Sequence, residues 1–226
     1  ILAIATPSAQ SAANATKDIP ILITAVTDPV DAGLVENADR PGANITGTTD
    51  MNPVEEQLEL LKEIFPESKN VGVIYNAAEP NSVIQIDIAK EVAEDMGLEI
   101  FEATVANSGE VNQAVQSLAG KVDVIYTPTD NTVASAMSAI VKVANDANIP
   151  VIGAEKGQVE GGALATLGID YYLLGIQTGH IAANVLNGED PAGIPIAEPK
   201  DRKLVINKSS ADILGITIPE QVLSRA

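Results

Sequence analysis

Apolar residues along this chain fall into two alternating patterns. Short continuous runs such as Asn70 to Tyr75 (NVGVIY) predict buried strands, and the stretches between them carry apolar residues at every third or fourth position, which predicts helices. After Asn70 to Tyr75, Asn81 is placed to cap a helix with Ile84, Ile88, Val92 and Met96 along one face, and Gly97 to end it. A strand Leu98 to Ala103 follows, then a helix with Val111, Val115 and Leu118 inward, stopped at Gly120. Val122 to Tyr126 predicts a strand, and Val133, Met137, Ile140, Val141 and Ala144 predict a helix starting near Thr132. Pro150-Val151-Ile152 opens another strand, Gly157, Gly161 and Gly162 predict a turn, and Ala163 to Leu167 a further strand. A helix over Tyr171 to Leu186, capped by Asp170, comes next. Regular alternation of this kind is the pattern of a parallel α/β sheet covered on both faces.

The beginning of the chain is similar in kind. Ile1 to Ala5 predicts a strand, Thr6-Pro7 an N-cap followed by Pro in the first turn, and Pro20 to Val26 a second strand. Thr27-Asp28-Pro29 repeats the cap-then-Pro device. Asn52-Pro53 starts another helix, with Glu55 at the capping-box position, Val54, Leu58, Leu61 and Phe65 buried, and Pro66 at its end. A weak internal repeat ties the two halves together. Ile4-Ala5-Thr6-Pro7-Ser8 with Ile19-Pro20-Ile21 parallels Ile125-Tyr126-Thr127-Pro128-Thr129 with Ile149-Pro150-Val151, an Ala-rich helical stretch lying between in each copy. Two similar α/β lobes explain it. In the second copy two β-α units precede the Thr-Pro turn and in the first none does, so the repeat predicts that about fifty residues of the first lobe are missing before Ile1.

Composition narrows the function classes. A net charge of −18 over 226 residues repels phosphate backbones and anionic leaflets, which argues against nucleic-acid partners. Apolar content of 46% argues against disorder, and 3% aromatic content without Trp argues against a sugar stacked on a broad ring. Without cysteine, the chain has neither disulfides nor thiolate metal ligands. No run reaches the roughly eighteen apolar residues of a membrane helix.

In parallel α/β sheets ligands bind at the carboxyl ends of strands, where helix N-termini present free N–H groups. The residues that follow the predicted strands are Thr6, Pro7 and Ser8; Thr27 and Asp28; Asn76, Glu79, Asn81 and Ser82; Thr127, Thr129, Asp130 and Asn131; and Glu155. Hydroxyls, amides and carboxylates without Lys, Arg or His suit a small zwitterion, its carboxylate met by hydroxyls and N–H groups and its ammonium by an acid. Helix capping is the plainer reading of Thr6, Ser8, Thr27, Asn81, Asp130, Asn131 and Asp170. Asp28 and Glu79 each sit beside a Pro in a turn with no evident need of a carboxylate. Tyr171 and Tyr172 suit either a lid or hinge packing. Catalytic and cofactor signals are weak: His180 lies within a helix without a partner at a recognisable spacing, and no phosphate-binding glycine loop follows a strand. A divalent-metal site among Asp28, Asp130 and Glu155 is compatible with the spacing but not required by it.

Several stretches together resemble a known family. Thr27-Asp28-Pro29-Val30 with Ala32-Gly33-Leu34-Val35, Arg40 to Gly47 (RPGANITG), Pro128 to Thr132 (PTDNT), Ala165 to Tyr172 (ATLGIDYY) and Leu204 to Lys208 (LVINK) are similar to the ABC-transporter substrate-binding proteins that include tryptophan- and phenylalanine-binding lipoproteins. The resemblance implies a type I periplasmic-binding-protein fold, two Rossmann-like lobes with parallel sheets joined by three crossovers, the first lobe incomplete. It places lobe 1 at residues 1–49 and 170–199 and lobe 2 at 50–169 and 200–226.

The function it implies is binding of an amino acid, plausibly Trp or Phe, in the interlobe cleft by hinge closure. There is no catalysis and no cofactor, and ABC permease subunits are the partners. The setting is extracytoplasmic, in the periplasm or lipid-anchored to the outer face of the membrane. Position and family analogy together assign the ligand carboxylate to Thr6 and Ser8 and the ammonium to Asp130 or Glu79. Thr27, Asp28, Asn76, Ser82, Asn131, Glu155 and Asp170 complete the expected site. A ligand-sensing domain of a regulator and a metal-dependent α/β enzyme are the alternatives.

Overall fold

The computed structural model describes all residues 1–226 and divides them into two compact units. Unit 1 comprises Ile1–Met51, Glu79–Asn81 and Ile169–Arg202, and unit 2 comprises Asn52–Ala78, Ser82–Gly168 and Lys203–Ala226.

Unit 1 is built on three parallel strands in the order β1 (Leu2–Ile4), β2 (Ile21–Val26), β3 (Ile45–Thr49), with Leu2 opposite Leu22 and Ile21 opposite Ile45. Helix α1 (Thr6–Ala15) packs on β2 through Ala9 and Ala13, small residues that let helix and sheet approach closely. The register of β2 against β3 shifts between Ile23 and Val26, where Ala25 takes a φ of 53°. Opposite this irregularity Gly47 has a φ of 146°, and a Cβ there would lie 2.0 Å from the Ile23 carbonyl oxygen, so only glycine fits. The outer edge of β1 carries exposed Ile1, Leu2 and Ile4.

Unit 2 carries a six-stranded sheet in the order β5-β4-β6-β7-β8-β9. Its strands are β4 (Asn70–Tyr75), β5 (Glu99–Thr104), β6 (Val124–Thr127), β7 (Val151–Gly153), β8 (Ala165–Ile169) and β9 (Arg202–Ile206). Between them and at the end of the chain run α2 (Val54–Ile64), α3 (Pro80–Asp95), α4 (Val111–Leu118), α5 (Asn131–Ser135), α6 (Met137–Asp146), α7 (Lys156–Glu160), α9 (Lys208–Leu214) and α10 (Glu220–Leu223), while α8 (Tyr171–Leu186) belongs to unit 1. One apolar core joins Leu58, Leu61, Ile86, Ala89 and Val222 to one side of the sheet; a second joins Val115, Ile140 and Ala144 to the other. Each fully buried Leu or Ile contributes about 1.5–3 kcal/mol. The chain runs from β4 outward to β5 and then reverses to β6, so the sheet's topological switch point lies between β4 and β6.

The internal repeat is realised as two parallel β-α-β units, β1-α1-β2 and β6-α5-α6-β7. Several local expectations need correction. Thr6 is the first residue of α1, and Ala5 occupies the cap position. No helix follows Thr27-Asp28-Pro29; residues 29–33 form turns, because Asp28 Oδ1 accepts the N–H groups of Val30 (2.8 Å) and Asp31 (3.0 Å). The same bonds give the Asp28 carboxylate a local task in its turn, contrary to the expectation that the turn has no need of one.

The capping box at Asn52 and Glu55 does not form, since α2 begins after Pro53 without a side-chain cap. Asn81 lies inside α3, which is rotated from the expected stripe: Ser82, Gln85, Ile86, Ala89 and Ala93 are buried, while Ile84, Ile88, Val92 and Met96 flank them half-buried. The helix expected from Thr132 is broken at Ala136, and the glycine turn after Glu155 contains the short helix α7.

Candidate functional site

At the end of β1 the backbone makes an abrupt turn into α1. Ala5 has φ 69° and ψ 155°, a region open to glycine and costly for other residues by about 1–3 kcal/mol. Two bonds hold it there: its N–H donates to Thr24 O (3.0 Å), and its carbonyl accepts the Ala9 N–H (3.1 Å). The helix therefore starts directly at the sheet's edge, with no side chain capping its first N–H groups. Thr6 is 2% exposed, and its hydroxyl oxygen is buried without a hydrogen-bond partner. Burying a hydroxyl in this way costs about 1–3 kcal/mol. Ser8 sits exposed in the same first turn.

The other strand ends of unit 1 are more self-contained. Buried Asp50, just past β3, accepts the Thr27 hydroxyl on Oδ1 (3.1 Å) and the Tyr171 hydroxyl on Oδ2 (2.6 Å). Tyr171 thus fastens the start of α8, whereas Tyr172 is exposed. Asp170 caps α8 through the N–H groups of Tyr172 and Leu173, the capping role expected of it. Glu79 is buried and accepts the Asn81 amide at 3.3 Å.

Unit 2 gathers three predicted residues at its switch point. Asp130 Oδ2 accepts the Asn76 N–H (2.6 Å) and the Ser82 hydroxyl (2.7 Å), while Oδ1 accepts the Val133 N–H (2.8 Å) and so caps α5. The Asn76 amide donates to Thr132 (3.0 Å). Asn131 is exposed at the first position of α5. Glu155 caps α7 through Gly157 and Gln158, and burial pushes its carboxyl above the usual range while those two N–H bonds pull it back.

Three buried glutamines of this unit were not anticipated. Gln57 donates to the carbonyls of Ala154 (3.0 Å) and Leu167 (2.8 Å) and accepts the Tyr126 hydroxyl (2.7 Å). Gln158 accepts the Ala154 N–H (2.8 Å) and the Thr127 hydroxyl (3.0 Å), and a Cβ on Gly153 would come within 2.7 Å of the same amide oxygen. Gln85 pairs with both backbone groups of Thr129. Gln57 interrupts an otherwise apolar face of α2, a signal legible in the sequence; Gln85 shares its face with buried Ser82, and α7 is too short for any periodicity.

No group of three or more His, Asp or Glu side chains is placed to hold a metal ion. A cavity of about 650 Å³ along β1 and α8 is lined by Ile1, Leu2, Ile4, Val185 and Leu186 among others, an apolar surface without the charges a zwitterion needs. No helix is long and apolar enough to cross a membrane.

The profile of a family described as ABC transporter substrate binding protein matches residues 1–226. Over 216 residues the chain is 48% identical to the tyrosine-binding protein of Clostridioides difficile, an overlap that covers 96% of this chain and 63% of that protein. The chain thus spans less than two thirds of that relative's length. A conserved domain protein from Vibrio cholerae has a similar structure, with a TM-score of 0.97 at 49% identity over 100% of this chain and 76% of that one. An ABC domain from Streptococcus pneumonia in complex with L-Trp matches with a TM-score of 0.96 at 41% identity, again over 100% and 76% of the two chains.

Proposed function

The chain belongs to the family of ABC transporter substrate-binding proteins, and from that premise we propose that it receives an aromatic amino acid, tyrosine or tryptophan, outside the cytoplasm. The ligand then passes chemically unchanged to a membrane permease, the receptor working in the periplasm or from a lipid anchor on the outer face of the membrane. The ligand class is supported by the similar proteins, one a tyrosine-binding protein and one in complex with L-Trp.

A single observation carries the site: the buried, unpartnered hydroxyl of Thr6 at the uncapped start of α1. A ligand carboxylate there accepts the Thr6 hydroxyl and first-turn N–H groups, and it takes favourable charge from the helix dipole. That arrangement needs no Arg or Lys. Ser8, in the same turn, adds a second hydroxyl. The ammonium is assigned to Asp130 or Glu79, the two buried carboxylates that follow β6 and β4. Thr27, Asp28, Asn76, Ser82, Asn131, Glu155 and Asp170 remain proposed contacts or supports of those contacts.

Calorimetric titration of the full-length protein with the twenty amino acids tests this reading. Tyrosine or tryptophan binds and is recovered intact, and at 100 times its dissociation constant it adds about 2.7 kcal/mol of stability. Failure of every aromatic amino acid to bind contradicts it.

A further inference from the structure

Two of the buried glutamines act on one short stretch of backbone. Gln158, on α7, donates its amide to the Pro128 carbonyl at 2.8 Å. Gln85, on α3, accepts the Thr129 N–H at 3.1 Å and donates to the Thr129 carbonyl at 3.3 Å. Three successive backbone polar groups of the loop after β6 are thus met by side chains from two different helices. Both amides are buried, at 0% and 1% exposure, where an unsatisfied amide is costly; their full use shows that the loop is held from within the protein.

The stretch leads straight into Asp130 and the start of α5 at the switch point. Ser82, one turn before Gln85 on α3, donates to Asp130, so the same helix face grips two consecutive loop residues. In the corresponding segment of the first copy, Thr6-Pro7-Ser8, the Pro7 carbonyl accepts a hydroxyl of its own helix, Ser11 (2.9 Å), rather than side chains of other helices, and the threonine hydroxyl is buried without a partner.

Resting on the amino-acid-receptor reading, we propose that Gln85 and Gln158 are positioning residues of the ligand site: they lock Pro128 and Thr129 so that the loop from Thr129 to Asn131 is in binding geometry before the ligand arrives. A loop fixed in advance loses no conformational entropy on binding, and its contribution appears as affinity. Releasing either amide allows the loop several conformations, only one of which binds.

The test uses Gln85→Met and Gln158→Met in the full-length protein, substitutions close in volume that remove the amide bonds. Gln85→Asn, which keeps an amide too short to reach both Thr129 groups, serves where the methionine variant does not fold. L-tyrosine and L-tryptophan affinities are measured by calorimetry well below each variant's melting temperature. Hydrogen exchange across residues 127–132 is measured without ligand.

The expected result is about a tenfold weaker affinity for each variant, with faster exchange confined to that segment. Unchanged affinity in the folded variants, even with a lower melting temperature, overturns the proposal and leaves the amides a purely structural role. If the unmodified protein binds neither amino acid, the receptor reading fails on its own. Exchange then still decides the positioning claim, which unchanged exchange in the variants overturns.

Discussion

In the first copy of the internal repeat, Thr6 buries its hydroxyl with no partner; in the second, the matching Thr127 is just as buried but donates to Gln158 at 3.0 Å. The two copies share their sequence signature and their parallel β-α-β form, yet they dispose of polar groups in opposite ways. In unit 1 the helix begins at once, at Thr6, forcing Ala5 into a strained conformation and leaving the helix start uncapped. In unit 2 three residues, Pro128 to Asp130, intervene between β6 and α5, and their polar groups are met by Gln85, Gln158, Asn76 and Ser82. The difference separates two kinds of strand end: the Thr127 loop is satisfied from within its own unit, whereas the Thr6 hydroxyl has a bond left to make, which is why the proposed site is built on it.

Polar-to-apolar substitutions should therefore have opposite consequences at satisfied and at unpartnered groups. The largest loss belongs to Asp130→Ala, which strands two N–H groups and a hydroxyl inside unit 2 and costs about 3 kcal/mol or more in denaturant unfolding. A loss below 1 kcal/mol breaks the comparison. Tyr171→Phe in unit 1 removes the hydroxyl bonded to Oδ2 of buried Asp50, so it costs about 1–3 kcal/mol, the penalty of taking a donor from a buried acceptor.

Smaller still is the effect of pH through Glu155, whose carboxyl is raised by burial. Between the ordinary carboxylate value and the raised one, the folded protein holds a proton that the unfolded chain has released. Its stabilising contribution is thus present at low pH and is lost as pH rises through the folded value. Glu155→Gln should flatten that fall in unfolding free energy, measured from pH 4 upward, and an unchanged slope contradicts the assignment. The smallest change, and of opposite sign, is expected for Thr6→Val, which replaces an unpartnered buried hydroxyl by a methyl group. The protein should be as stable or slightly more stable in the absence of ligand.

How far these features were legible in the sequence depended on how local their causes are. β4 runs over Asn70–Tyr75 as its apolar run predicts, and α8 over Tyr171–Leu186 behind the Asp170 cap, because cap and periodicity both lie within the segment. The face of α3 was misplaced because its centre is made of Ser82, Gln85, Ala89 and Ala93. Small and polar residues pack closest to the sheet there, while the larger aliphatic ones sit at the flanks. Gathering of Asn76, Ser82 and Asp130 followed from listing strand ends, since the topology of a parallel sheet delivers those ends to one side. The glutamine clamps were not foreseen because their partners are backbone groups 44, 30 and up to 110 residues away. Nor does the identity of Ala5 reveal that a neighbouring strand holds it at positive φ.

The central claim is that α1's start with Thr6 takes the carboxylate of an amino acid, and a calorimetric cycle tests it most directly. L-tyrosine and tyramine, which lacks the carboxylate, are titrated into the full-length protein and its Thr6→Val variant. The account predicts that Thr6→Val weakens tyrosine binding about tenfold or more while leaving the weaker binding of tyramine unchanged, the two losses being one interaction counted once. Equal weakening of both ligands, or of neither, would contradict it.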